Sequence, residues 1–276
     1  MLKVNTLSYV NIKESKGEGH KMNLHQVNQG EKGQSQRFIE LDILRGFAIL
    51  FMIILHLFWD LDYFGILRLN KNFYSLNIIV PVIFFLLVGI CQAVNNNKYK
   101  NQQRKMHLRT IQRGLWILNL GMLLTLLTAV FLPERPILFG VLHCIGCCMI
   151  LSTLLLRFKS ANILLAALII LSGLAMGFFY TMENPNMAEL ATGIHEPNIG
   201  AHTIDYFPIL PWFGVCLTGI ALGNILYKDN KRRYPLPDLS KYKPTKIFSW
   251  LGQHSLAIYL IHQPVIAGVL YLVVMV

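Results

Sequence analysis

Charge is what this chain has least of. Only 14% of its 276 residues are charged, and only 14 of them are acidic. Hydrophobic residues make up 54%, and the mean hydropathy is +0.47. So little polar surface cannot clothe a water-soluble domain of this length. The composition excludes an ordinary soluble enzyme and predicts an all-α, polytopic helical bundle whose partner is the lipid bilayer of the cell membrane. A net charge of +11 would suit nucleic acid. The Lys and Arg residues, however, fall between apolar runs, as topology signals do, so no nucleic-acid partner is expected.

Paired cysteine motifs are also missing. Cys91, Cys144, Cys147, Cys148 and Cys216 all lie in apolar runs. Cys144 and Cys147 make a CxxC beside His143, but no second CxxC exists to complete a zinc site. They read as small apolar residues, and no metal is expected. No apolar run occurs before about residue 43, so no cleavable signal peptide is expected. Residues 1–36 read as a polar, disordered cytoplasmic tail whose His20 and His25 have no assigned role. There is no internal repeat of the kind that builds inverted-repeat transporters.

What is present is a series of about seven apolar runs in residues 37–276, read as one transmembrane domain: 43–62, 76–95, 109–131, 138–157, 161–180, 207–227 and 247–273. Each is near the twenty or so residues that a crossing needs. With these spans, 22 of the 25 Lys and Arg residues fall on one side, leaving Arg68, Lys71 and Arg135 on the other. That asymmetry predicts a cytoplasmic N-terminus and an extracytoplasmic C-terminus. The opposite side carries a long acidic connection, 181–206, without Lys or Arg. Such a loop is either a plain solvated one or a cover over the outer mouth of a site.

The first span holds the stretch RFIELDILRGFAILFMIILHLFWDLD. Arg45 and His56 are eleven residues apart, which on a helix is about 20° of azimuth and roughly 16 Å of rise. Asp42 and Asp60 share nearly the same face. An ionisable residue inside a membrane helix is a functional candidate by default. His143 and His262 fall in the same outer half as His56, and Asp60 lies one turn from His56, where it is expected to orient the ring. At the inner ends, Arg45, Arg109, Arg113, Lys246, His254 and Ser255, with Gly89, Gln92 and Asn95, form a cationic, hydrogen-bonding mouth suited to a phosphorylated molecule. The plainer readings stand beside these. A lone membrane histidine often bonds helix to helix, and an Arg at an inner helix end often only anchors it.

The run ELDILRGFAILFMIILHLFWDL resembles the first helix of the transmembrane acyltransferase superfamily, where a basic residue, ten others and a histidine form a signature. FFLLVGI, FGVLHCIG, DYFPILPWFGVCLTGIALG and GQHSLAIYLIHQPV resemble small prokaryotic relatives of the heparan-alpha-glucosaminide N-acetyltransferase catalytic domain. The resemblance implies an O- or N-acyltransferase that moves an acyl group, most simply acetyl from acetyl-CoA, to a hydroxyl or amine of an extracytoplasmic sugar or glycan. It implies that His56 is the catalytic histidine and that Arg45 lies near the acyl-CoA.

On this reading Arg45, Arg113 and His254 hold phosphates, helped by Gln92 and Ser255, and Gly89 leaves room for the donor's arm. Asp60 stabilises the His56 imidazolium, and His143 or His262 meets the oxyanion or the acceptor, with Asp205 on the acceptor side. Larger members have ten or more spans and the lysosomal enzyme has a soluble outer domain. The acceptor site here is therefore expected to be completed by the 181–206 connection or by a second subunit in a homo-oligomer. The alternatives are a small-solute or proton-coupled transporter using the same stripe, and a non-catalytic scaffold.

Overall fold

The computed structural model describes residues 38–229 and 231–275, and the tail expected over 1–36 lies outside these described residues. Eight main helices follow one another: α1 (Ile39–Tyr63), α2 (Ile79–Lys98), α3 (Gln103–Phe131), α4 (Val141–Leu155), α5 (Asn162–Phe179), α6 (Ile209–Leu226), α7 (Lys243–Gln253) and α8 (Ser255–Met275). A two-residue ladder pairs Tyr227–Lys228 with Lys231–Arg232 after α6. Large apolar side chains face outward along the helices, Phe131 at 75% and Leu164 at 72% exposure among them. Water does not tolerate such an apolar exterior; a lipid environment does.

Among the described residues, six helical runs are long and apolar enough to cross a membrane: Ile39–Tyr63, Asn72–Lys98, Lys100–Phe131, Val141–Gly177, Ile209–Leu226 and Ser255–Val274. The sequence predicted about seven. The difference lies in the run 141–177, which would be some 55 Å long if straight. It is broken at Lys159, whose backbone is non-helical at φ 49° and ψ −120°. The chain reverses there. Cys144 and Cys148 of α4 meet Pro208 and Cys216, so α4 runs parallel to α6. Gly173 of α5 meets Pro211, whereas Gly214 meets Ala166 and Ile170, so α5 runs antiparallel to α6. The run expected at 247–273 is also divided, at His254, into α7 and α8.

The bundle is held by close helix–helix approach. A Cβ on Gly46 would lie 1.9 Å from the Phe248 carbonyl oxygen, and one on Gly252 would lie 1.8 Å from that of Asp42. Only glycine lets α1 and α7 cross so tightly. Phe47 and Phe248 stack beside the crossing, with ring centres 3.8 Å apart. On its other side α1 packs antiparallel to α2: Phe38 and Leu41 cluster with Ile90 and Val94, and Ile49, Met52 and Leu55 cluster with Val80. The molecule thus has two polar ends, one at Arg45 and one at His56.

Candidate active site

At the His56 end, α1 and α8 run side by side. The His56 and His262 rings meet edge to face with centres 4.9 Å apart. His262 Nδ1 lies 2.6 Å from the Tyr259 carbonyl oxygen. A carbonyl only accepts, so Nδ1 carries the proton and Nε2 of neutral His262 is left with a lone pair. That Nε2 is buried and has no hydrogen-bond partner. Gln263, the next residue, donates its Nε2 to the Asp60 carboxylate at 2.9 and 3.0 Å. Pro264 follows inside the helix, where it cannot donate to the backbone and so loosens the ladder beside these residues.

The same cluster reaches the connection before α6. Tyr259 donates its hydroxyl to Asp205, and Asp205 Oδ2 accepts the Val141 N–H at 2.9 Å, satisfying a free donor at the start of α4. Burial pushes the Asp205 carboxyl up to about 6, and these two hydrogen bonds oppose the shift. The 181–206 connection is ordered here. It carries a short helix, Met187–Thr192, capped by Asn186 and Glu189, and Tyr206 closes onto it through the Leu190 carbonyl at 2.8 Å.

The site residues expected from the sequence separate into two sets. His56, Asp60 and His262 come together, and Asp205 joins them through Tyr259. Asp60 was expected to orient the His56 ring; its carboxylate is instead engaged by Gln263. His143, expected in catalysis, is not brought to His56. It stands between α3 and α4, where Nδ1 accepts the Gly140 N–H at 3.2 Å, Nε2 lies 3.4 Å from Thr125 Oγ1, and the ring covers Gly121. Nδ1 serves the turn that starts α4, and Nε2 ties α4 to α3. Tyr259 and Gln263 were not singled out from the sequence. The polar run HQP inside an apolar helix is the signal that marks Gln263; Tyr259 carries no such signal.

At the Arg45 end, Arg45 donates to Asp42 at 3.1 Å and to the Cys91 thiol at 2.7 Å. Beside it, Glu40 takes two 2.7 Å bonds from Arg232 and one of 3.1 Å from Tyr227. The mouth expected from Gly89, Gln92, Arg113, His254 and Ser255 is not assembled around Arg45. A Cβ on Gly89 would lie 2.0 Å from the Cys216 carbonyl oxygen, so the space left by this glycine is filled by α6 and holds no donor arm. Gln92 is buried and accepts from Ser152 of α4 at 2.6 Å. Arg113 is exposed on α3, which packs chiefly on α4. His254 caps α7 through the Trp250 carbonyl at 2.9 Å, and Ser255 begins α8.

Between the two ends the α1 stripe is closed: Ile49 is 0% and Met52 5% exposed, packed with Leu251, Ile258 and Tyr259. All five thiols are free, and the CxxC is not bridged. Among the described residues, no three His, Cys, Asp or Glu side chains gather in a way that would hold a metal ion.

Neither a comparison with curated proteins nor one with solved structures returns a match. Residues 37–264, by contrast, match the family described as "Heparan-alpha-glucosaminide N-acetyltransferase, catalytic". The matched segment contains both polar ends of α1, the Asp205 connection and the His262–Gln263 pair. The chain, a membrane protein by its six apolar runs, belongs to the heparan-alpha-glucosaminide N-acetyltransferase catalytic family and is a membrane acetyltransferase.

Proposed function

We propose that this acetyltransferase takes an acetyl group from acetyl-CoA at the cytoplasmic, Arg45 end. It passes the group at His56 to a hydroxyl or amine of an extracytoplasmic sugar or glycan. The observation that carries the reading is the pairing of His56 with His262 at the end of α1 opposite Arg45. An imidazole free to take a proton, set in a buried cluster, is the group acyl transfer needs as general base.

In this reading His56 removes the proton of the attacking hydroxyl or amine and returns it to the thiolate that leaves. Arg45, partly exposed, meets phosphate by exchanging its Asp42 contact for a charge-assisted pair. Met52 and Ile49 move aside to admit the acyl arm between α1 and α8. Asp205 and the 181–206 connection border the acceptor side. The protein crosses the cell membrane seven times, with its N-terminus in the cytoplasm and its C-terminus outside. The bias of Lys and Arg to one side supports that orientation.

The test is acetyl transfer by purified protein in lipid. His56→Ala is expected to lower turnover by 10³-fold or more, while thermal unfolding and retention of coenzyme A stay near wild type. Unchanged turnover in that variant removes the central claim. Arg45→Ala is expected to raise KM for acetyl-CoA about tenfold with a smaller change in kcat. An unaltered KM moves the phosphate contact elsewhere.

A further inference from the structure

The base at His56 needs a partner. A neutral imidazole acts as a base only if one nitrogen holds the proton and the other is open toward the acceptor, and a neighbour normally fixes which is which. Asp60 is the obvious neighbour by sequence, yet its carboxylate is taken by Gln263. No hydrogen bond to either nitrogen of His56 occurs among the described residues, and the ring that lies against it is that of His262.

His262 is prepared for the role in three respects. Its tautomer is set by the Tyr259 carbonyl, which holds the Nδ1 proton at 2.6 Å. Its Nε2 is buried and lacks a partner, and an orphaned acceptor in such a place is unfavourable unless something uses it. The ring centres lie 4.9 Å apart. A straight imidazole N–H···N bond sets the two centres about 5 Å apart, which is the spacing found here.

The surroundings leave His262 without a charged rival. On α1, Asp60 is held by Gln263. On α8, Tyr259 directs its hydroxyl to Asp205 of the 181–206 connection. In the apolar cluster shared with Ile258 and Tyr259, α2 presents Val80 and Phe84. α7 contributes Leu251 to the core below the pair.

We propose that His262 is the positioning residue of this active site. Its Nε2 accepts the N–H of His56, fixes His56 in the tautomer whose other nitrogen faces the acceptor, and shares the positive charge when His56 takes the acceptor's proton. The chain Tyr259 carbonyl, His262, His56 then does for this enzyme what a buried carboxylate does in a triad, without placing a negative charge in the membrane. The inference rests on the reading of His56 as the base. During transfer the proton of the acceptor moves to the open nitrogen of His56 as the new C–O or C–N bond forms. It then moves to the departing thiolate as the C–S bond breaks, and His262 keeps its own proton throughout.

The experiment compares His262→Leu with His262→Gln in purified protein reconstituted in lipid, using acetyl-CoA with an acceptor or with water. The leucine variant removes the acceptor atom; the glutamine variant restores an oxygen near the position of Nε2. His262→Leu is expected to lower kcat at least 100-fold with KM for acetyl-CoA within about twofold. The acidic limb of its rate profile is expected to move to lower pH, because the protonated form of His56 has lost its support. His262→Gln is expected to recover at least tenfold of that loss. Equal damage in both variants, or an acidic limb that stays in place, overturns the proposal and leaves His262 a packing residue. If the leucine variant fails to fold, the glutamine variant and the ¹⁵N-histidine spectrum of the wild type still decide. The spectrum must show His262 protonated at Nδ1 and accepting at Nε2. An active His56→Ala protein would sink the base reading itself. An inactive His56→Ala beside a fully active His262→Leu would sink only this inference.

Discussion

Asp205 is a carboxylate folded into a poor solvent for charge. It ties the connection before α6 to the start of α4 through Val141 and to α8 through Tyr259. Burial raises it to about 6 from an ordinary value of 3.8. The folded protein therefore holds this proton more tightly than the unfolded chain does. The contribution of Asp205 to stability is fully present below about pH 4 and is lost as pH rises from about 4 through 6, a loss on the order of 2–3 kcal/mol. Asp205→Asn, whose amide oxygen still accepts from Val141, is expected to flatten that slope. Thermal unfolding in detergent between pH 4 and 7, wild type against variant, measures it; equal slopes would show that the group is not perturbed.

Residues of this kind were half legible. Arg45, His56 and Asp60 stand out because ionisable groups are rare in apolar helices and their spacing fits one face. Their partners do not, because Gln263 meets Asp60 across 203 residues of sequence. Gly89 was read for space and is in fact filled, since a missing side chain says nothing of what occupies the gap.

Among the elements, the crossing of α1 and α7 shows the same division. Apolar length and mixed charge announced α1. That α7 would be a separate helix, lying on α1 at Gly46 and Gly252, was hidden inside a continuous apolar run. Hydropathy carries no information about φ and ψ, so the break at His254 could not be seen, whereas the reversal at Lys159 falls in the gap expected between the runs 138–157 and 161–180. The crossing sets the position of Arg45, which sits next to Gly46. Gly46→Ala drives a methyl group into the Phe248 carbonyl, and the two helices must part to admit it. A destabilisation of about 1–3 kcal/mol is expected, typical of overpacking. KM for acetyl-CoA is expected to rise, since Arg45 moves with α1. Thermal unfolding and steady-state kinetics read the two effects separately, and an unchanged melting point would show that the crossing is looser than it looks.

At the scale of the whole molecule, the fold of the run 141–177 decides how many times the chain crosses the bilayer. Treated as one helix, the run 141–177 crosses once, and residues before it and after it lie on opposite sides. Folded back at Lys159, it returns, and both flanks lie on the same side. The contacts at its two ends favour return. Phe139 bridges Tyr206, Arg135 donates to the Gly200 carbonyl, and Leu138 donates to Thr203, so the 132–140 segment is stitched to the 181–206 connection. At 15 residues α4 is about 22 Å long, short of the roughly 30 Å hydrocarbon core, and this non-helical segment occupies the remaining depth. The basic residues agree, since Arg157 and Lys159 at the turn join the side that holds 22 of the 25. Single cysteines at Glu134, Glu183, Lys159 and Lys231, all exposed, separate the two arrangements. In intact cells a membrane-impermeant maleimide is expected to label Glu134→Cys and Glu183→Cys, and to reach Lys159→Cys and Lys231→Cys only after permeabilisation. Labelling of Glu134→Cys and Glu183→Cys from opposite sides would make the run a single crossing. It would then put His143 and Asp205 at opposite faces of the membrane, which the 2.9 Å bond from Val141 to Asp205 does not permit.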